Sequence, residues 1–478
     1  MPKLHDEKGK MSDHSAVSIL PFLLTFFCYL IVILPVLLIW LPELLRCRTN
    51  DGQEALPDGP TEEPYCPACA SERDESARAY RAPPPRIEQQ QGRPHEVDTR
   101  NHYCPNKNCR YFGWVNRGNI RSNGHPNSGR WRQLECTVCQ CYFMETTGTI
   151  FFGKQTPPET IWCALKALAE GLGIRATARV FDVDPNTVET WLREAAQQME
   201  AVSRHLLHDL QLTQVQIDEL WALLGKRDLD ENQKKCKAKR WVWVGTDPVS
   251  KLWLASVVGD RSQECAQLLI HAIQMLLAPG CVPLFLSDQW SAYANALLTH
   301  FGQWVPVPRR HRLGRPPKPR WQPMPNLHYA QLVKKREKGR VVSVSHRIIY
   351  GSLEVVEAVL KDCGVGQVIN TAFIERLNLT IRQHVAALAR KVIQLAKTDT
   401  GLDNQLTLSQ GYYNFCLPHS ALRLPLPEPQ PTKGTGSAKK WQPRTPAVAA
   451  HVTNRMWKLE ELLLFRAPPW QQGLEVTS

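Results

Sequence analysis

The stretch TQVQIDELWALL at 213–224 constrains this chain more than any other. Val215, Ile217 and Leu220 are interleaved with polar residues, the period of a strand with one wet face, and Asp218 sits at its centre beside Glu219. An ionised carboxylate inside an apolar sheet must neutralise, pair or bind a cation, so a mid-strand acid points to a cation site. The alternative at this position is a solvent-facing acid on an edge strand.

Two further acids fall where such a site needs them. Predicted strands at 240–246 and 252–258 follow the first, then a helix at 262–277, then a strand at 282–286 leading into Ser287 and Asp288, then a helix at 291–300. Three strands, a crossover helix and a further strand tipped by an acid is the order of the ribonuclease H-like fold. It puts Asp218 and Asp288 on neighbouring strands. In NTAFIERLNLTIRQHVAALARK (370–391), Ile374, Leu377, Ile381, Val385 and Leu388 form one helical stripe, with Glu375, Asn378 and Arg382 in a second line beside it. Glu375 on that margin can ligate metal with Arg382 left for phosphate, or it is an ordinary solvated glutamate. Asp247 and Asp260 also follow predicted strands and are rival acids.

A length of 478 residues, 43% of them hydrophobic, predicts several domains, and a formal charge of +13 favours an anionic partner, nucleic acid or a membrane surface. Much of the charge lies at 305–350, where twelve Lys or Arg residues, Arg309, Arg310, Lys334, Lys335 and Arg336 among them, face the single acid Glu337. That composition suits a phosphate backbone. Fifteen cysteines, an odd number with clustered pairs, suggest metal in a reducing compartment rather than a disulfide framework. Cys104, Cys109, Cys136 and Cys139 have zinc-ribbon spacing, with Arg110, Arg130 and Arg132 near enough to face phosphate. Cys66 and Cys69 read equally as half a zinc site or a redox pair. Ala176, Val180, Val183, Val188 and Leu192 fall at helix-turn-helix core offsets, which would direct Asn186, Thr187, Glu189 and Thr190 at DNA, with Arg175, Arg179 and Arg193 near the backbone. Residues 16–42 lack charge and are long enough to cross a bilayer, making membrane association through them an alternative to an unexpressed extension.

With these residues assembled, the chain resembles the DDE-type transposases of bacterial insertion sequences, in particular the insertion-sequence-one-like branch. The resemblance rests on YCPNKNC with LECTVCQCYF, GIRATARVFDVDPNTVETWL, QIDELWAL, PLFLSDQWSAY, the 370–391 helix and GYYNFCLPHSALRLPLP, over most of 101–465. It implies a multidomain α+β chain: a hydrophobic segment at 1–50, a linker at 51–100, a zinc ribbon at 101–155, a helix-turn-helix at 156–205, a ribonuclease H-like α/β catalytic domain at 210–400 with a basic insertion at 305–347, and a tail at 401–478. The family's metal triad falls on Asp218, Asp288 and Glu375, with Asp218 bridging two Mg²⁺ or Mn²⁺ ions ~4 Å apart and Zn²⁺ structural in the ribbon. Arg382, Asn378 and His384 would position phosphate. The implied activity is cleavage and joining of DNA at terminal inverted repeats and a target, by a homo-oligomer, in the cytoplasm at the nucleoid. The alternative is a catalytically inactive zinc-ribbon and helix-turn-helix regulator.

Overall fold

In the computed structural model the described residues are 64–69, 83–87, 98–225, 239–308, 317–338, 340–390, 394–432, 436–470 and 472. The apolar run at 16–42 and most of the 51–100 linker lie outside them. Among the described residues no helix is long and apolar enough to cross a membrane.

Short strands joined by turns come first. β1 (Ile120–Ser122), β2 (Gln133–Cys136) and β3 (Tyr142–Met144) form an antiparallel sheet around Tyr111, Ile120, Leu134 and Phe143. Helices α1 (Pro158–Ala169), α2 (Ile174–Val180) and α3 (Pro185–Leu206) follow. Asp184 starts α3 by accepting from the Asn186 N–H at 2.7 Å, and Pro185 occupies the first turn, where its missing amide costs nothing. Val188 and Leu192 are buried as the helix-turn-helix pattern requires, but Val180 is 67% exposed. It closes α2 facing outward, and Thr177 and Ala178 take the inward positions instead.

The strand at 213–224 becomes β4 (Gln214–Leu223), followed by β5 (Lys239–Thr246) and β6 (Trp253–Gly259). Helix α4 (Gln263–Gln274), capped by Ser262, crosses to β7 (Leu284–Asp288), and α5 (Ser291–His300) comes next. After a two-stranded piece, β8 (Gly302–Val305) with β9 (Arg320–Pro323), the chain re-enters the sheet as β10 (Tyr329–Glu337) and doubles back as β11 (Arg340–Tyr350). The sheet order is β11-β10-β7-β4-β5-β6, with β4–β7 and β7–β10 parallel and the other pairs antiparallel. A mixed six-stranded sheet in this order is consistent with a ribonuclease H-like fold. The 305–347 stretch, expected as an insertion, therefore contains β10 and much of β11. Tyr329–Leu332 pairs with β7 inside the sheet, and the charged run that follows it disguised the strand.

Helices α6 (Leu353–Asp362), α7 (Ala372–His384) and α8 (Asp399–Phe415) come next. A small pair, β12 (Leu424–Gln430) with β13 (Lys439–Gln442), and two short helices, α9 (Pro446–Ala449) and α10 (Leu459–Leu464), end the ordered elements. The faces of the sheet divide by residue parity, as a pleated strand dictates. Val215 and Ile217 pack with α4, α5 and the α1–α3 helices in one continuous core. Leu220 and Ala222 pack on the other face with Ile374, Leu377 and Ile381 of α7 and Leu402 and Leu406 of α8. Each buried Val, Leu or Ile side chain contributes about 1.5–3 kcal/mol.

The region from 401 onward, expected as a tail, is structural. Helix α8 covers the outer edge of β6: Asn414 accepts from the Trp253 N–H at 3.0 Å and donates to its carbonyl at 2.9 Å. An edge strand thus has its free main-chain groups satisfied by a buried amide. Further on, Arg466 donates to the Tyr103 carbonyl at 3.0 Å, and Trp470 packs edge-on against Phe112 and Trp114 of the segment before β1. Gly113, at φ +74°, allows this: a Cβ there would lie 2.6 Å from the Trp470 ring. Replacing Asn414 by Ala leaves the Trp253 N–H buried without an acceptor and is expected to destabilise the chain by about 1–3 kcal/mol, measured by denaturant unfolding; an unchanged midpoint would contradict this account of the edge.

Candidate functional site

β4 and β7 bring the first two acids together. Their parallel register pairs Gln216 with Leu286 and Ile217 with Ser287, so Asp218 and Asp288 are on the next rung of the same ladder, facing α7. Gln216, on the same face, donates to the Asn370 carbonyl at 2.9 Å and accepts from the Ile374 N–H at 3.1 Å. This side chain fixes where α7 begins relative to the sheet. Glu375 then stands in the first helical turn, where the helix dipole favours a carboxylate, and Asn378 one turn later donates to Asp218 Oδ2 at 2.7 Å.

Lys334 of β10 closes the site. Its Nζ is 2.6 Å from Glu375 Oε1 and 3.4 Å from each oxygen of Asp288. The Thr371 hydroxyl lies 3.1 Å from Asp288 Oδ1 and 3.1 Å from Glu375 Oε1. One ammonium and one hydroxyl therefore touch both acids. Burial, then the Glu219 carboxylate, push the Asp218 carboxyl up to about 7; Asp288 and Glu375 add to this, while the Glu219 N–H works against it. Burial would also raise Glu375, but Lys334, Thr371 and Arg336 outweigh it and hold that group below the usual carboxylate range.

The other expected residues divide. Glu219 points to the opposite face, where Tyr293 donates to it at 2.9 Å and Arg261 pairs with it. Asp247 is a buried turn acid that accepts from Val249 and Ser250, and Asp260 is an exposed partner of Arg240; neither reaches the triad positions. Arg382, expected to hold phosphate, instead donates to the Leu388 carbonyl at 3.2 Å and the Trp221 carbonyl at 3.4 Å, tying the end of α7 to β4. His384 likewise meets the Ala169 carbonyl of α1 at 2.9 Å. Asn378 and Lys334, expected at DNA, are committed to the acids. Lys335 and Arg336 are exposed on the part of the β10–β11 hairpin that extends past β7, with Val341, Val342 and Val344 exposed beside them. Arg309 and Arg310 lie outside the described residues. On α3, Asn186 and Glu189 are exposed and Thr187 and Thr190 half-buried, with Arg175, Arg179 and Arg193 exposed around them. Arg130 is occupied by Glu159 and by the Trp131 and Trp162 rings.

Two sulfur-containing clusters complete the inventory. The ligand atoms of Cys104, Cys109, Cys136 and Cys139 all lie within 4.8 Å of one another, a set that can bind zinc. The Tyr111 N–H and the Asn119 amide point at the Cys109 and Cys136 sulfurs at 3.4 and 3.3 Å, as donors around a thiolate site do. Cys141 is outside the set. The second cluster joins Cys66 and Cys69 to His271 and His300, again within 4.8 Å, and can also bind zinc. Spacing alone does not pair Cys66 and Cys69 with these histidines, which sit about two hundred residues on, in the last turns of two helices.

No family model matches the chain, and no curated protein matches it. Among solved structures it is similar to a chain in the crystal structure of the Mos1 strand transfer complex, at 15% identity over 29% of this chain and 53% of that one, with a TM-score of 0.13. The chain thus spans about half the length of that relative.

Asp218 supplies a pH test. Its carboxyl, held at about 7, well above the ordinary aspartate range, keeps its proton more tightly in the folded chain than in the unfolded one, and stability falls as pH rises from about 4 through 7. Without added magnesium, Asp218→Asn is expected to raise stability at pH 8 by up to about 4 kcal/mol and to change it little at pH 4, read from unfolding midpoints across that range. A gain independent of pH would contradict the assignment.

Proposed function

We propose that the chain is a DDE-type transposase of the insertion-sequence-one-like branch, which binds the ends of a DNA element and cleaves and joins DNA with Asp218, Asp288 and Glu375 as metal-holding acids. The observation that carries this reading is the approach of an acid from the centre of β4, an acid from the tip of β7 and an acid from the first turn of α7 to one face of the sheet. The residues present suit a hard divalent cation. The donors are all oxygen, Asp218 is disfavoured as an anion without a countercharge, and the buried Asn378 Oδ1 has no hydrogen-bond partner among the described residues. Magnesium or manganese held there would polarise a phosphodiester and make the attacking oxygen more nucleophilic.

The protein's own groups have separable tasks. Asn378 orients Asp218, Gln216 sets the position of α7, and Lys334 offsets the charge of Asp288 and Glu375 while remaining close enough to meet a phosphate. Asn186, Thr187 and Thr190 at the start of α3 suit a major groove, with Arg175, Arg179 and Arg193 toward the backbone. Lys335, Arg336 and Arg340 on the hairpin suit phosphates flanking the site. Two element ends call for at least two active sites, which favours a homo-oligomer.

A second reading has one observation in its favour. The ion pairs of Lys334 already satisfy Asp288 and Glu375, as they would in a DNA-binding regulator that has no use for metal. The full chain, given DNA carrying the repeats that bracket its reading frame and Mg²⁺, is expected to nick and join that DNA. Asp218→Asn, Asp288→Asn and Glu375→Gln should each lower the rate roughly 100-fold or more while binding persists, since each removes several kcal/mol of stabilisation of the reacting phosphate. Binding without metal-dependent cleavage would select the regulator.

A further inference from the structure

We propose that Cys66, Cys69, His271 and His300 hold a second structural zinc ion, a clasp that fastens the segment preceding the ribbon to the helical back of the six-stranded sheet. The four ligand atoms converge within 4.8 Å. Cys66, His271 and His300 are buried and Cys69 is half-buried, so the position is nearly closed to solvent. Closure with four protein ligands distinguishes a structural zinc site from one that keeps a place for substrate.

The chemistry of each ligand fits. Cys66 and Cys69 are three apart, with 67–69 in helical conformation, a spacing that puts both thiols on one side of a turn. Cys69 Sγ lies 3.3 Å from His271 Nδ1 and 3.6 Å from His300 Nε2. The other nitrogen of His300, Nδ1, donates to the Ala296 carbonyl at 2.9 Å within its own helix. That bond fixes the tautomer with its free lone pair on Nε2, directed at the sulfur, which is the outer support that zinc-bound histidines have. Two thiolates, two neutral imidazoles and Zn²⁺ sum to no net charge, an arrangement that tolerates this burial better than an unpaired thiolate would. His271 is in the last turn of α4 and His300 ends α5, so both also present cation-favouring helix C-termini.

The site is separate from the carboxylates. α5 starts just beyond Asp288, and its ten residues carry His300 about 15 Å along the helix axis from that end. Residue separations of 202 and 231 between Cys69 and the two histidines make the clasp a long-range tie.

The test uses the full chain, purified under reducing conditions, with zinc itself as the probe. Elemental analysis is expected to find two zinc ions per chain, falling to one in His271→Gln/His300→Gln and to one in Cys104→Ser/Cys136→Ser. In the histidine variant Cys66 and Cys69 should be alkylated at least tenfold faster than in the zinc-loaded wild type, while Cys104, Cys109, Cys136 and Cys139 remain protected, which also reports that the ribbon is folded. Cobalt replacement in the wild type needs no variant: six thiolate ligands should give thiolate-to-cobalt absorption half as strong again as the four of the ribbon site alone. One zinc per wild-type chain, two in the histidine variant, or equal alkylation of Cys66 and Cys69 with and without zinc would each overturn the clasp.

Discussion

Three carboxylates share a face of one sheet only if something offsets their repulsion. At an effective dielectric near 20, two like charges about 4 Å apart cost about 4 kcal/mol. The chain meets this in two ways. Asp218 is pushed toward its protonated form, and Lys334 places its ammonium between Asp288 and Glu375. The rest of the architecture serves to bring Lys334 there. It requires β10 to lie parallel beside β7, which in turn requires the polypeptide to leave the sheet after β7 and return through α5 and the β8–β9 piece. The sheet's register sets Asp218 and Asp288 on adjacent strands, and a base that arrives with the next strand holds Asp288 beside Glu375 of α7.

That dependence explains which parts of the site could be read in the sequence. Asp218 stood out because it breaks an apolar alternation, Asp288 because it ends a short apolar run, and Glu375 because it borders a clean helical stripe. Each signal is local. Lys334 looked like one more charge in a basic block, because only four residues of β10 pair with β7 before the strand becomes a charged arm. Gln216 looked like a wet-face residue, yet its amide is buried and holds the start of α7. His271 and His300 carry no signal at all until two helices pack side by side. For Arg382, periodicity places it beside Glu375 and Asn378, and the structure adds that its guanidinium donates to the Leu388 and Trp221 carbonyls.

The fold was legible in the same measure. Alternation and the crossover helix located β4 through α5 to within a few residues. The 370–391 helix and a short apolar helix near Leu459–Phe465 were legible, and they are α7 and α10; α8 was not, since it has weak amphipathicity, with Gly411, Ser409 and Asn414 all buried along it. A helix that meets the protein on several sides, touching α3, β6 and α9, has no single apolar stripe to detect. Three prolines within β12, Pro425, Pro427 and Pro429, then make the stretch after α8 resemble a tail.

The shared core has a mechanical consequence. Helix α3 is 22 residues long, about 33 Å, and its buried face from Val188 to Val202 belongs to the core that also holds β4, β7, α4 and α5. Its exposed first turn, the surface proposed to meet DNA, is therefore the end of a rod embedded in the body that carries the acids. A rod packed along its length does not swing without unpacking Trp191, Leu192 and Met199, each nearly inaccessible to solvent. The spacing between that turn and the carboxylates is consequently set by the fold. Under the proposed function, adaptation to different DNA paths falls to the parts outside the core, and the outer half of the β10–β11 hairpin, which among the described residues pairs only within the hairpin and carries charge on both strands, is the element suited to supply it.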